Sequence, residues 1–167
     1  MMGGGNKGLY SGTRGSSQPY ASFYNVMPDM LKSDISRGIV QNGMYPKNPT
    51  AKDIRDMIHG NYIGDKNTNG LFTYAIDMND NIIVGKRNGN GTNPSNSPTP
   101  HPTLIGGKNP KVQCAGMLDI RGGKIYSFDD RSGHFKPNPK SLEKAAEIFA
   151  RLPKSVFHKN YIGGKSK

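Results

Sequence analysis

The 167-residue chain has one cysteine, Cys114, no tryptophan and only two glutamates, Glu143 and Glu147. A single thiol excludes an internal disulfide and a thiolate metal cluster. Its neighbours Ala115 and Gly116 mark Cys114 as a small core residue rather than a nucleophile. Long apolar runs are missing too: no stretch approaches the ~18 residues of a membrane-spanning helix. The start, MMGGGNKGLYSG, lacks the basic-then-apolar pattern of a secretion signal. Apolar residues make up only 33% of the chain, while glycine and proline together number 34. That composition excludes a helical bundle and points to one loop-rich globular domain.

What the chain has instead is positive charge, unevenly placed. Residues 1–84 carry 8 Lys/Arg against 7 Asp/Glu, whereas residues 85–167 carry 15 against 5, a net +10. A cationic half of this kind suits a phosphate-bearing ligand, nucleic acid above all, or an acidic protein partner.

Residues 1–20 are rich in glycine, serine and asparagine and read as a flexible leader. The globular domain is expected over 21–157, and 158–167 as a basic tail. Phe23, Val26, Met30 and Leu31 recur at helical spacing, and Pro28 opens a short helix after Met27. In NPTAKDIRDMIHGN, Thr50 and Asp53 resemble a capping box, Ile54, Met57 and Ile58 form an apolar stripe, and Gly60 ends it; a second helix is expected there. The period then changes. Residues 71–77 and 81–87 predict a hairpin around Asn79-Asp80-Asn81, and 88–100 a plain loop. A second hairpin turns at Gly122-Gly123, with apolar residues alternating until Ile125 and then on the other parity at Tyr126 and Phe128. Leu142, Ala145, Ala146, Phe149 and Leu152 mark a last amphipathic helix, capped by Asn138 or Ser141 and ended by Pro153. The fold class is α+β: N-terminal helices, an antiparallel sheet of two hairpins and a C-terminal amphipathic helix.

Phosphate chemistry needs a proton acceptor, a proton donor and cations for the developing charge. Histidine serves both proton roles near neutral pH. Of four histidines, His59 reads as structural at a helix end and His158 as a surface residue. His101, in TPHPTLIGGKNP, and His134, in DDRSGHFKP, sit where loop meets strand, the usual place for functional groups. His101 is a functional group or part of a rigid proline turn. Gly106-Gly107-Lys108 beside it is too short a signal for a phosphate loop. His134 is a catalytic group or a turn histidine bonded to backbone. Gly133 is expected to permit the turn, Phe135 to anchor it, and nearby Asp130 to orient the imidazole. No spacing matches a metal site, so neither metal nor cofactor is expected.

Tyr74–Asp77, His101–Gly107, Ala115–Ile125 and Ser132–Pro137 together resemble the C-terminal toxin-type domains of bacterial polymorphic toxins, including rearrangement-hotspot repeat proteins, over residues 47–152. A similar pattern occurs in plant calmodulin-binding IQ-motif proteins. The first resemblance implies a toxin module secreted as part of a larger protein, acting in the target-cell cytoplasm and paired with an acidic immunity protein. The segment GGKIYSFDDRSGHF is similar at fold level to barnase-like and colicin-type ribonucleases. The leading expectation is a monomeric, metal-independent ribonuclease with His134 and His101 as base and acid. Lys86, Arg87, Arg131 and Lys136 would hold phosphate, and Thr103 and Ser132 would orient the site. Two alternatives stay open. One is an NAD-dependent ADP-ribosyltransferase toxin using LYSGTRG as a nucleotide-binding strand, although both glutamates lie on the last helix. The other is a non-enzymatic binding module in which Ser-Gly-His-Phe is architectural.

Overall fold

The computed structural model describes residues 17–88 and 97–166; LYSGTRG, most of the leader and most of the 88–100 loop lie outside them. In chain order the elements are β1 (Tyr24–Asn25), α1 (Pro28–Ser36), β2 (Lys52–Asp53), a 3-10 turn (Ile54–Met57), β3 (Ile58–His59) and β4 (Tyr62–Ile63). Then follow β5 (Gly70–Ile76), β6 (Ile82–Lys86), α2 (Pro102–Ile105), β7 (Lys111–Val112), β8 (Cys114–Arg121), β9 (Lys124–Asp129), α3 (Ser141–Phe149), a 3-10 turn (Lys154–Val156) and β10 (Gly163–Lys165). The fold is mixed α and β, with a six-stranded sheet in the order β10-β9-β8-β5-β6-β2. All neighbours in it are antiparallel except β9 and β10.

The two hairpins carry the sheet. Asp77 Oδ1 accepts from Asn79 N and Asn81 N and shapes the first turn. In the second, Gly122 and Gly123 both have positive φ (59° and 74°), as a two-residue primed turn requires. The parity break at Tyr126 is a bulge: the β8–β9 register shifts between Ile125 and Ser127, so Ile125 and Phe128 both reach the core.

Alternation divides the sheet into two faces. Tyr74, Ile76, Val84, Leu118 and Ile120 pack against Ala145, Ile148 and Phe149 of α3. Tyr74, Phe128 and Phe149 form an aromatic cluster, with Phe128 and Phe149 stacked 4.3 Å apart. Cys114 belongs to this core, and burial pushes its thiol up to about 12. Ile148 takes the buried place expected for Ala146, which is exposed. No side chain caps α3; Asn138 Oδ1 accepts from Lys140 N, and Ser141 is buried against the Tyr24 hydroxyl. The opposite face carries Ala75, Ile83 and Ala115 under Tyr24, Leu104 and Phe135.

Three expectations fail here. Residues 51–60 are not a helix: Lys52 and Asp53 pair with Val84 and Ile83, and only a 3-10 turn follows. Sheet pairing that also buries Ile54 outweighs the modest helical propensity of the segment. The segment expected as a basic tail is part of the sheet over its described residues, because Gly163–Lys165 pairs with Ser127–Asp129 as an edge strand. The end of the leader is also tied in, since Gln18 N donates to Lys136 O and Gln18 Nε2 to Phe135 O.

Gly116 is the tightest point of the sheet. A Cβ there would lie 2.0 Å from Asp129 O and 2.5 Å from Asp129 C, which are backbone atoms with no room to yield. Gly116→Ala is therefore expected to destabilise the fold by about 3 kcal/mol or more. Urea unfolding checks this, and a midpoint equal to wild type would refute the close approach.

Candidate active site

The segment after β9 folds back under α1. Ser132 Oγ accepts from Phe135 N, Ser132 O from Lys136 N, and Phe135 is fully buried. The strained backbone position is Lys136, at φ 42°, not Gly133, whose missing Cβ faces open space. His134 is thus presented by a turn anchored on both sides. Its own carbonyl accepts from Met27 N, just before α1.

Its imidazole is held by the same helix. His134 Nε2 lies 2.8 Å from Asp34 Oδ2, which also accepts from the Tyr45 hydroxyl at 2.6 Å. Asp34 is fully buried and its Oδ1 has no partner among the described residues. Burial pushes the Asp34 carboxyl up, but the His134 and Tyr45 hydrogen bonds outweigh it and hold the group below its ordinary value. Burial and the Asp34 contact raise the Tyr45 phenol well above its usual range, so it stays a donor. An ionised carboxylate accepts only, so His134 donates through Nε2, and in the neutral imidazole the lone pair is then on Nδ1. The side chain keeps 13% of its surface exposed, enough to meet a ligand. Asp34, 100 residues away in sequence, therefore does what proximity assigned to Asp130. Its one sequence signal is a carboxylate three residues after Leu31 on the packing stripe of a short helix.

His101 precedes α2 and is 7% exposed. Its Nε2 lies 2.9 Å from Gly116 O, and a carbonyl can only accept, so the imidazole donates. Burial lowers its pKa to about 4 against the opposing pull of that hydrogen bond, and a proton on nearby His134 would lower it further. A histidine neutral at pH 7, with its proton committed to the backbone, is unfit to be the resting general acid. That role, expected from sequence, is corrected to one of shaping the wall beside His134.

Both histidines line one cavity of about 430 Å³ on the sheet face away from α3. Its cationic wall is Arg37, Arg87 and Arg131. Arg131 Nε donates to Asp129 Oδ2 at 2.8 Å, which fixes its guanidinium; Arg37 and Arg87 have no ion-pair partner among the described residues. Leu71 and Thr73 of β5 and Met117 of β8 lie on its sheet side, and Thr73 pairs directly with Met117. Arg37 and Thr73 went unnoticed in the sequence, since nothing local distinguishes either.

The other expected ligands lie elsewhere. Lys86 pairs with Phe72, so alternation turns it toward the α3 side while Arg87, the next residue, lines the cavity. Lys136 does not line it; its backbone bonds Ser132 O and Gln18 N. Thr103 is fully buried with its hydroxyl on Pro100 O at 2.6 Å, and the Ser132 hydroxyl holds the turn. Both are architectural. Gly107 exchanges backbone bonds with Tyr45, which accounts for the glycine pair before Lys108. His59 is exposed on β3, and His158 Nδ1 accepts from Asn160 N. No group of three or more His, Cys, Asp or Glu among the described residues is placed to hold a metal ion. No described helix is long and apolar enough to cross a membrane. In comparison with known proteins, the chain matches no family model, no curated protein and no solved structure.

The low pKa of His101 sets a stability dependence. The group contributes fully above about pH 6.5; between there and its folded value of about 4 the unfolded chain takes up the proton first, and the contribution is lost. The expected loss over that window is about 3 kcal/mol. The lowered Asp34 carboxyl acts only below its model-peptide value of 3.8. Calorimetry from pH 7 to 4 should show a flatter profile in His101→Gln, which keeps a donor for Gly116 O. Parallel profiles would refute the assignment.

Proposed function

We propose that this chain is an enzymatic domain that cleaves RNA, working as a toxin module secreted within a larger bacterial protein and acting in the target-cell cytoplasm. One observation carries the chemistry: a histidine oriented by a buried carboxylate opens onto a cavity walled by three arginines. His134 Nδ1 accepts the proton of a ribose 2′-hydroxyl. The 2′-oxygen bonds to phosphorus, the bond to the 5′-oxygen breaks, and the leaving oxygen takes a proton from water. The products are a 2′,3′-cyclic phosphate and a 5′-hydroxyl end. Arg37, Arg87 and Arg131 balance the charge that builds on the phosphoryl oxygens. Asp34 is a positioning residue that keeps the imidazole in one tautomer. The +10 of residues 85–167 attracts the polyanion and suits an acidic immunity protein as inhibitor.

Purified protein incubated with total RNA in chelator tests the reading across pH 5–8. RNA ladders with cyclic-phosphate ends are expected. His134→Ala should lower the rate roughly 100- to 10,000-fold. Asp34→Asn should lower kcat with KM little changed. RNA left intact by wild type, or cut at full rate by folded His134→Ala, sinks the proposal.

A further inference from the structure

The shape and lining of the cavity say more than that a phosphate binds. It is bounded by the α1 end, the 98–101 segment and the His134 turn over the sheet. The 98–101 segment is tied down: Thr99 N donates to Arg87 O at 2.8 Å, and the Thr99 hydroxyl bonds Lys86 O. A volume of about 430 Å³ lies toward the small end of ligand sites, the scale of one compact ligand. An extended double helix presents its phosphates on a convex surface and keeps its bases stacked inside.

The lining has two chemistries. The arginines and His134 form the polar side. Ile39, Leu71 and Met117 supply an apolar wall, of the kind on which an aromatic face packs. Between them stands Thr73. It is 2% exposed on a central strand, and its hydroxyl makes no hydrogen bond among the described residues. The Thr73 oxygen is not one of the sealed, partnerless atoms, of which Asp34 Oδ1 and Asn48 Nδ2 are the two described examples. A hydroxyl that can donate or accept, placed on the floor of a cavity without a partner among the described residues, suits the polar edge of a ligand.

We infer that the site takes one unpaired nucleotide at a time. The base lies against Ile39, Leu71 and Met117 with its edge on Thr73, and the phosphate lies among Arg37, Arg87, Arg131 and His134. The substrate class is therefore single-stranded RNA, in loops or at ends, and not duplex. This inference rests on the ribonuclease reading for its reaction, but the binding geometry can be tested apart from it.

Two measurements separate the parts. The first is calorimetric titration of wild type with nucleoside 3′-monophosphates, with the matching nucleosides and with inorganic phosphate. The monophosphates are expected to bind at least tenfold more tightly than either component. Thr73→Val, which keeps the volume, should weaken the preferred monophosphate by roughly 2- to 10-fold while leaving inorganic phosphate unchanged. The second is cleavage of an end-labelled oligoribonucleotide, alone and annealed to its complement. The single strand is expected to be cut at least a hundredfold faster. Equal cleavage of both forms, or monophosphates that bind no better than phosphate, overturns the inference while leaving the nuclease standing. Tight monophosphate binding with no RNA cleavage supports the one-nucleotide site and sinks the nuclease.

Discussion

The contact between Asp34 and His134 governs the whole of the cavity face. A carboxylate taken fully out of water is costly unless its oxygens find donors. Here one oxygen receives two, from His134 and Tyr45, and the compensation holds the group ionised. Each donor arrives from a different part of the chain. Tyr45 brings the loop that exchanges backbone bonds with Gly107, and His134 brings the turn after β9. The helix that carries Asp34 packs Leu31 against a small cluster of Ile39, Val40 and Tyr45. The buried carboxylate therefore specifies where α1 sits, and α1 in turn delivers Arg37 to the cavity. Breaking the pair would leave an uncompensated buried charge as well as a loose imidazole, so orientation and local stability are one property here.

The two faces of the sheet divide the labour. Against α3 the strands bury a continuous aromatic and aliphatic core, and within the sheet the Asp129 backbone comes so close that Gly116 admits no methyl group. The other face is covered by short pieces: β1, α2 and the 132–137 turn. Such pieces cover a sheet incompletely, and the space they leave near Leu71 and Met117 is the cavity. The rigid face sets the positions of Thr73, Met117 and the Gly116 carbonyl, while the loop-built face supplies the histidines and arginines. A scaffold with function grafted on its connections is the usual division.

The strands were legible because period-two alternation and glycine turns survive as local signals. The last helix was legible through Leu142, Ala145 and Phe149, whereas its capping was not, because Ser141 is spent on a contact with Tyr24. Residues 51–60 show the limit of periodicity. Ile54, Met57 and Ile58 fit a helical stripe, but β6 offers an unpaired edge, and Lys52-Asp53 takes it. The same holds for Gly163–Lys165, whose strand character depends on β9 being there to pair with. At the site, His134, His101, Arg87 and Arg131 could be named because histidines and arginines at strand ends are few. Lys86 was named with them because the face a strand residue takes depends on register, which its pairing with Phe72 sets.

By itself the sequence determined the class, α and β with a mostly antiparallel sheet, the cationic second half, and the two histidines worth attention. These rest on composition and on contacts within a few residues, which the chain carries wherever it goes. Tertiary structure decided how the histidines differ. His134 keeps an open nitrogen because Asp34 reaches it from 100 residues away, and His101 is neutral because the sheet buries it against Gly116. Desolvation and long-range pairing set proton chemistry, and neither exists until the chain has folded.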